Sequence, residues 1–358
     1  MSRTRLMMLA DAGSSHTRKW ACEFARRGWE VHVLSLTPGE IPDVRTHRLH
    51  PLFPGKLGYL TVVNQVKAFV RGLLPDLLHA HYATSYGLFG ALSGFHPFVI
   101  SVWGTDVYDF PRTSPLHQAL LVRNLAVADA LTSTSHAMAA VTAPYAPERA
   151  IEVIPFGVDL DRFAPGAPPE LPTIGCAKIL EPKYGQEFLI RALALLVERE
   201  PNRPLRLLLA GEGYRREALE RLVRDLGLSD RVVFLGRLPA DDVPAFMRGL
   251  TIFAMPSVDD SESFGVAALE AAACGLPVVS TTVGGVSEVV RDGATGLLVP
   301  PRDAGALADA LGRLLSDPAE CAAFGAKGRE MARESYDLHR NADKMEALYH
   351  RLLAARKT

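Results

Sequence analysis

The chain has 358 residues, 48% of them hydrophobic and 22% charged, with a formal net charge of −1. That length favours two domains, and such a composition can bury two cores. Neither half has the basic excess of a nucleic-acid binder, the four cysteines lack metal-ligand spacing, and no apolar run approaches the ~18 residues of a membrane span. Scattered thiols of this kind fit a reducing, cytoplasmic setting.

Short β-rich runs alternate with helix-period runs. In chain order, strands are expected near 6–9, 31–36, 77–80, 98–102, 130–133 and 152–154, and a helix over 17–27 is closed by Gly28. A second series follows, with strands near 174–177, 205–210, 232–235, 252–255 and 277–280, and helices over 186–198, 215–226 and 264–274. Several of these strands are continuous apolar runs, as parallel strands covered on both faces are. Alternation twice over predicts an α/β protein with two doubly wound, Rossmann-like parallel-sheet domains. The Pro- and Gly-rich stretch 161–172 reads as the linker. The expected domains are 1–163 and 170–337, and beyond 304 the chain reads as almost wholly helical. Open parallel sheets bind ligands outside the carboxyl ends of their strands. The site is therefore expected in post-strand loops, with the two edges facing a cleft.

The richest stretch is 257–282, SVDDSESFGVAALEAAACGLPVVSTT. Ser263, Phe264, Gly265 and Val266 form a turn that opens a helix expected at about Phe264. Free amides and the helix dipole there favour an anion such as a diphosphate. Glu262 stands at the mouth and Glu270 lies two turns in; each carboxylate suits a pair of vicinal hydroxyls. An acidic helix start with a solvated glutamate also fits these residues. Lys178 and Lys183, in AKILEPKYG after a strand, supply positive charge for a departing diphosphate or are merely solvated. In the first domain Gly13 and His16 (AGSSH), His79 and His81 (HAHY), Asp106 (SVWGTD) and His136 (STSH) all follow or end strands. His79 and His81 share a strand face, so His79 reads as a core histidine. Asp106 fits either an acceptor contact or a turn cap. Gly211 lies in the turn AGEG, which lacks the third glycine of a dinucleotide fingerprint.

The run E-S-F-G-V-x-x-L-E-A-x-A-C-G-x-P-V-V resembles the E-x7-E signature of family 4 glycosyltransferases of the GT-B fold, with Glu262 and Glu270 as its two glutamates. The remaining segments agree with that family in order across nearly the whole chain. The resemblance implies retaining transfer of a sugar from a UDP- or GDP-linked donor to an acceptor hydroxyl, in glycan, glycolipid or polysaccharide synthesis. It implies that Glu262 contacts the donor sugar, Glu270 the ribose, and the backbone of Ser263–Val266 the diphosphate. Lys178 and Lys183 then match the family's basic pair, Gly13 its phosphate-side glycine loop, and His81 a histidine that reaches the reacting sugar. His81, Lys183 and Glu262 form the expected catalytic set. Gly211 and Arg237 fall near the nucleotide base, and His16, Asp106 and His136 on the acceptor side. The final helix, about 338–358, is expected to cross back onto the first domain, as in relatives. No cofactor and no metal are expected, since Asp241-Asp242 and Asp259-Asp260 are adjacent pairs and not a D-x-D. A non-catalytic nucleotide-sugar-binding subunit and a sugar-nucleotide epimerase of the same fold are the alternatives. Residues 55–76 carry a broad apolar face with Lys56, Lys67 and Arg71 elsewhere. That pattern suits peripheral contact with an anionic membrane or packing on the protein's own sheet.

Overall fold

The computed structural model describes residues 3–53, 55, 58–259 and 262–356. Lys56, Asp260 and the outermost residues of the expected domain bounds lie outside the described residues. The chain divides into two compact units, Met1–Phe156 with His339–Thr358, and Gly157–Leu338.

Unit 1 holds strands β1 (Arg5–Leu9), β2 (Glu30–Ser35), β3 (Arg45–Arg48), β4 (Leu77–His81), β5 (Phe98–Val102), β6 (Ala130–Ser133) and β7 (Ile151–Val153). They form one parallel sheet in the order β3-β2-β1-β4-β5-β6-β7. Unit 2 holds β8 (Thr173–Ala177), β9 (Arg206–Ala210), β10 (Val232–Gly236), β11 (Ile252–Met255), β12 (Val278–Thr281) and β13 (Gly296–Val299). These are again all parallel, in the order β10-β9-β8-β11-β12-β13. Strands β3 and β13 are not among the sequence expectations. Both are edge strands: β3 is a polar RTHR with no apolar signal, and β13 is a short GLLV. Backbone pairing defines them, and four residues are too few to show a side-chain pattern.

The two faces of the unit 1 sheet separate with period two. Leu6 and Met8 enter one cluster with Trp20, Phe24 and Trp29. Met7 and Leu9 enter the other with Val62, Val66 and Phe89. Helix Leu338–Ala355 adds Ala342, Met345, Leu348 and Tyr349 to the first cluster. A methionine or leucine side chain there contributes about 2 kcal/mol by leaving water. Arg27 and Trp29 fasten the helix further, through Asp343 at 2.7 Å and Glu346 at 2.8 and 2.7 Å. The terminal helix therefore belongs to unit 1. Helix Gly58–Leu73 puts Val62, Val63 and Val66 into the unit 1 core, with Tyr59, Phe69 and Leu73 packed against it. Its apolar face is thus engaged inside the domain. Among the described residues no helix is long and apolar enough to cross a membrane.

In each sheet the first strand has its successor on one side and a later strand on the other: β1 lies between β2 and β4, and β8 between β9 and β11. Loops diverge at such a point and leave a crevice at the carboxyl edge.

Candidate functional site

In unit 2 the crevice between β8 and β11 brings a basic and an acidic loop together. Lys178 follows β8 and Glu262 follows β11, and their side chains pair at 2.5 Å. Both are mostly withdrawn from solvent, at 16% and 10% exposure. Burial pulls the Lys178 ammonium down, and the Glu262 carboxylate more than offsets it, so its pKa is raised and the charge is secure. Lys183 is half-exposed, 3.9 Å from Glu181. The Tyr184 ring lies 5.0 Å from the Lys178 ammonium and 5.1 Å from that of Lys183. One aromatic ring thus holds two cations near each other, which favours an anion beside them.

Close backbone approach fixes these loops. Gly211, with φ +144, packs so near the Lys178 carbonyl that a Cβ would meet it at 1.9 Å. The Lys178 amide bonds Ala210 O at 3.0 Å and the Leu180 amide bonds Glu212 O at 3.0 Å. Gly185, with φ +66, sits against Pro256 O, and the Val258 amide donates to Lys183 O at 2.8 Å. Buried Gln186 adds a bond from Nε2 to Ile179 O at 2.9 Å. The acidic loop is anchored on its far side too, by Ser280 Oγ to Met255 O at 2.7 Å, Thr281 Oγ1 to Ser257 O, and the Gly285 amide to Glu262 O at 3.0 Å. The glycines of AGEG and KYG therefore join loops, and Lys178 is aimed by a neighbouring strand's turn.

The regular helix starts at Val266 and not at Phe264, running Val266–Ala273 with Gly265 as a left-handed N-cap (φ +84). The reason is Phe264: its ring is 1% exposed and packs edge-on to Tyr336 at 5.6 Å, which pins the chain before the helix can begin. Phe264 can face a ligand only with backbone. Ser263, Val266 and Glu270 are partly exposed on the same loop and helix. Arg237 is exposed, just after β10.

In unit 1 the edge residues are largely neutral. His81 ends β4 and is 2% exposed. Burial, with His79 and His16 adding to it, holds its pKa well below the usual imidazole value. Its ring lies 4.2 Å from Trp103 and 4.6 Å from His79. His79 bonds Tyr349 Oη at 2.6 Å and Ser101 Oγ at 2.7 Å, and burial pushes it down to about 3. It is a core histidine. His16, in the first turn of helix Ser15–Arg26, stacks on Phe156 at 4.2 Å. Gly13 is exposed on the loop after β1, its amide bonded to Asp11 Oδ1 at 2.8 Å. Asp106 is 1% exposed, and its carboxylate accepts from the amides of Ala83 (2.8 Å), Trp103 (3.2 Å) and Gly104 (2.8 Å). It staples the loops after β4 and β5, and burial raises its pKa against those bonds. His136 is exposed at the start of helix His136–Thr142.

Each unit thus gathers its expected residues at one sheet edge. Trp103 and Phe156, which link His16 to His81, had no individual sequence signal beyond sitting at strand ends.

Two family models match the chain: "Glycosyl transferases group 1" over residues 158–331 and "Glycosyl transferase 4-like" over 5–135. A D-inositol 3-phosphate glycosyltransferase from Nocardia farcinica is 32% identical over 371 aligned residues, covering 86% of this chain and 78% of that one. A GDP-mannose-dependent alpha-(1-6)-phosphatidylinositol monomannoside mannosyltransferase from Mycolicibacterium smegmatis is 39% identical over 208 residues, and the chain spans 54% of its length, with 54% of this chain covered. Among solved structures, sucrose-phosphate synthase from Thermosynechococcus elongatus superposes with a TM-score of 0.85 at 26% identity, over 99% of this chain and 100% of that one.

Proposed function

This chain belongs to the group 1, GT4-like glycosyltransferases, and from that premise we propose that it transfers a sugar, with retention, from a nucleoside diphosphate donor to an acceptor hydroxyl. The observation that carries the reading is the Lys178–Glu262 pair at the β8/β11 crevice, with Lys183 and the start of helix Val266–Ala273 beside it. A diphosphate entering there offers Lys178 a second anion and frees Glu262 to accept from sugar hydroxyls. Lys183 and the amides at the helix start stabilise the leaving diphosphate without a metal. Glu270 is assigned to the ribose, and Gly211 and Arg237 to the base side. In unit 1, neutral His81 is assigned to the reacting sugar, Gly13 to the donor phosphates, and His16 and His136 to the acceptor. Asp106 acts there by shaping the loops. The relatives' names make GDP-mannose the first donor to try, with an inositol phosphate or a phosphatidylinositol glycolipid as acceptor.

The test is release of nucleoside diphosphate by the purified chain from a panel of UDP- and GDP-sugars, with the anomer of the product read by NMR. Turnover is expected to persist in excess EDTA and to give the donor's own anomeric configuration. Loss of all turnover on chelation, restored by a divalent cation, sinks the metal-free reading; an inverted product sinks retention. If no nucleotide sugar is bound or turned over, the proposal as a whole is wrong.

A further inference from the structure

Three successive hydroxyl side chains lie at the end of β6. Ser133 Oγ donates to Ser135 O at 2.9 Å, and Ser135 Oγ accepts from the Met138 amide at 3.1 Å as the cap of helix His136–Thr142. Thr134, between them, is 3% exposed, and its Oγ1 has no hydrogen-bond partner among the described residues. His81 is 2% exposed, and its Nδ1 is also without one. Both side chains line a single small cavity, otherwise walled chiefly by Trp103, Ile154, Phe156 and Met345. His79 and Ser101 reach it too, yet their polar atoms are committed: His79 to Tyr349 and Ser101, and Ser101 Oγ to Thr132 Oγ1 at 2.5 Å.

About 10 Å³ of the cavity is reachable by the centre of a water-sized sphere, which is the room one water needs. Buried polar atoms on two side chains that line one such space are seldom both left unsatisfied in a native protein. We infer that a single water molecule sits in this cavity, bridging His81 Nδ1 and Thr134 Oγ1, and that Thr134 thereby acts as a positioning residue for the His81 ring. Water both donates and accepts, so it can serve either nitrogen state and the hydroxyl together. A neutral imidazole has one donor and one acceptor nitrogen, and the bridge satisfies whichever of the two stands at Nδ1. It holds the ring in one orientation. Its consequence for turnover rests on the proposed contact of His81 with the donor sugar.

The experiment combines a high-resolution crystal structure of the full chain with nitrogen NMR of histidine-labelled wild type, Thr134→Val and Thr134→Ser. An ordered water within about 3.2 Å of both atoms is expected. The spectrum should show the His81 Nδ1 resonance shifted in the valine variant, where its hydrogen-bonded bridge is lost, and restored in the serine variant. In Thr134→Val, kcat should fall about tenfold while the donor KM stays within about twofold. A dry cavity, or His81 resonances untouched by Thr134→Val, overturns the inference. Should the valine variant fail to fold, the wild-type crystal still decides. Full turnover in His81→Ala instead sinks the sugar contact alone, because crystal and spectrum judge the water bridge independently of activity.

Discussion

At the carboxyl edge of the unit 1 sheet the polar groups are mostly uncharged imidazoles and hydroxyls tucked among Trp103, Phe156 and Met345. At the same edge of the unit 2 sheet they are a lysine–glutamate pair with a second lysine beside it. Both edges open at an equivalent switch point, beside β1/β4 and β8/β11. Every one of the eleven histidines falls in unit 1, including His339 and His350 of the terminal helix. The shared topology positions a crevice, and the side chains hung on each set of loops decide which chemistry it can do. Unit 2 presents charged groups at its edge, and unit 1 presents mostly neutral hydrogen-bonding groups.

The contrast can be broken most severely at Glu262. Glu262→Ala is expected to cut turnover by about 10²–10³-fold, the size of effect seen when one group stabilising a transition state is lost. It also strands the buried Lys178 ammonium, so the melting temperature should drop. Pairing Lys178→Met with Glu262→Leu should restore the melting temperature and leave the enzyme inactive. If the double variant regains turnover, the charge pair serves structure only.

Gly211→Ala comes next. A Cβ there meets Lys178 O at 1.9 Å and the φ of +144 disfavours any L side chain. The expected cost is about 3 kcal/mol, together with weaker binding of UDP or GDP in calorimetry, because the turn that aims Lys178 must move. Unchanged nucleotide affinity would separate the glycine from the anion site.

Acid should discriminate between the units. His32, His47, His79 and His81 all have pKa values depressed first by burial, and all lie in unit 1. Each binds a proton less readily in the fold than in the unfolded chain, where it titrates near 6.5. The unfolded chain therefore binds more protons below that value, and stability falls as pH falls. For His79 the loss continues down to about 3, at a slope of at most roughly 1.4 kcal/mol per pH unit. Hydrogen exchange at falling pH should show unit 1 opening before unit 2; simultaneous opening would mean that the buried histidines do not set acid stability.

The smallest effect is expected at Tyr349→Phe. It removes the hydroxyl bonded to His79 at 2.6 Å and should cost about 1–2 kcal/mol in a denaturant titration. Turnover should change little, because His79 lies behind His81. A large loss of kcat without a loss of stability would instead make His79 part of the site.

Alternating strand and helix periods, continuous apolar strand runs such as LLLA and IFAM, and the ESFGV–ALEAAACG run were readable in the residues, because burial on two faces and a helix start impose local patterns. The sequence by itself therefore determined the fold class, the order of the strands along the chain and which post-strand loops carry polar residues. Strands β3 and β13 escaped it, since RTHR has no apolar residue and GLLV is too short an apolar run to stand out. Only tertiary structure decided that Lys178 meets Glu262 across 84 positions of chain, that Phe264 delays its helix by entering the core, and that Asp106 spends its carboxylate on three amides. Partners and burial depend on where distant segments pack, and a single position carries no record of that until the sheet is assembled.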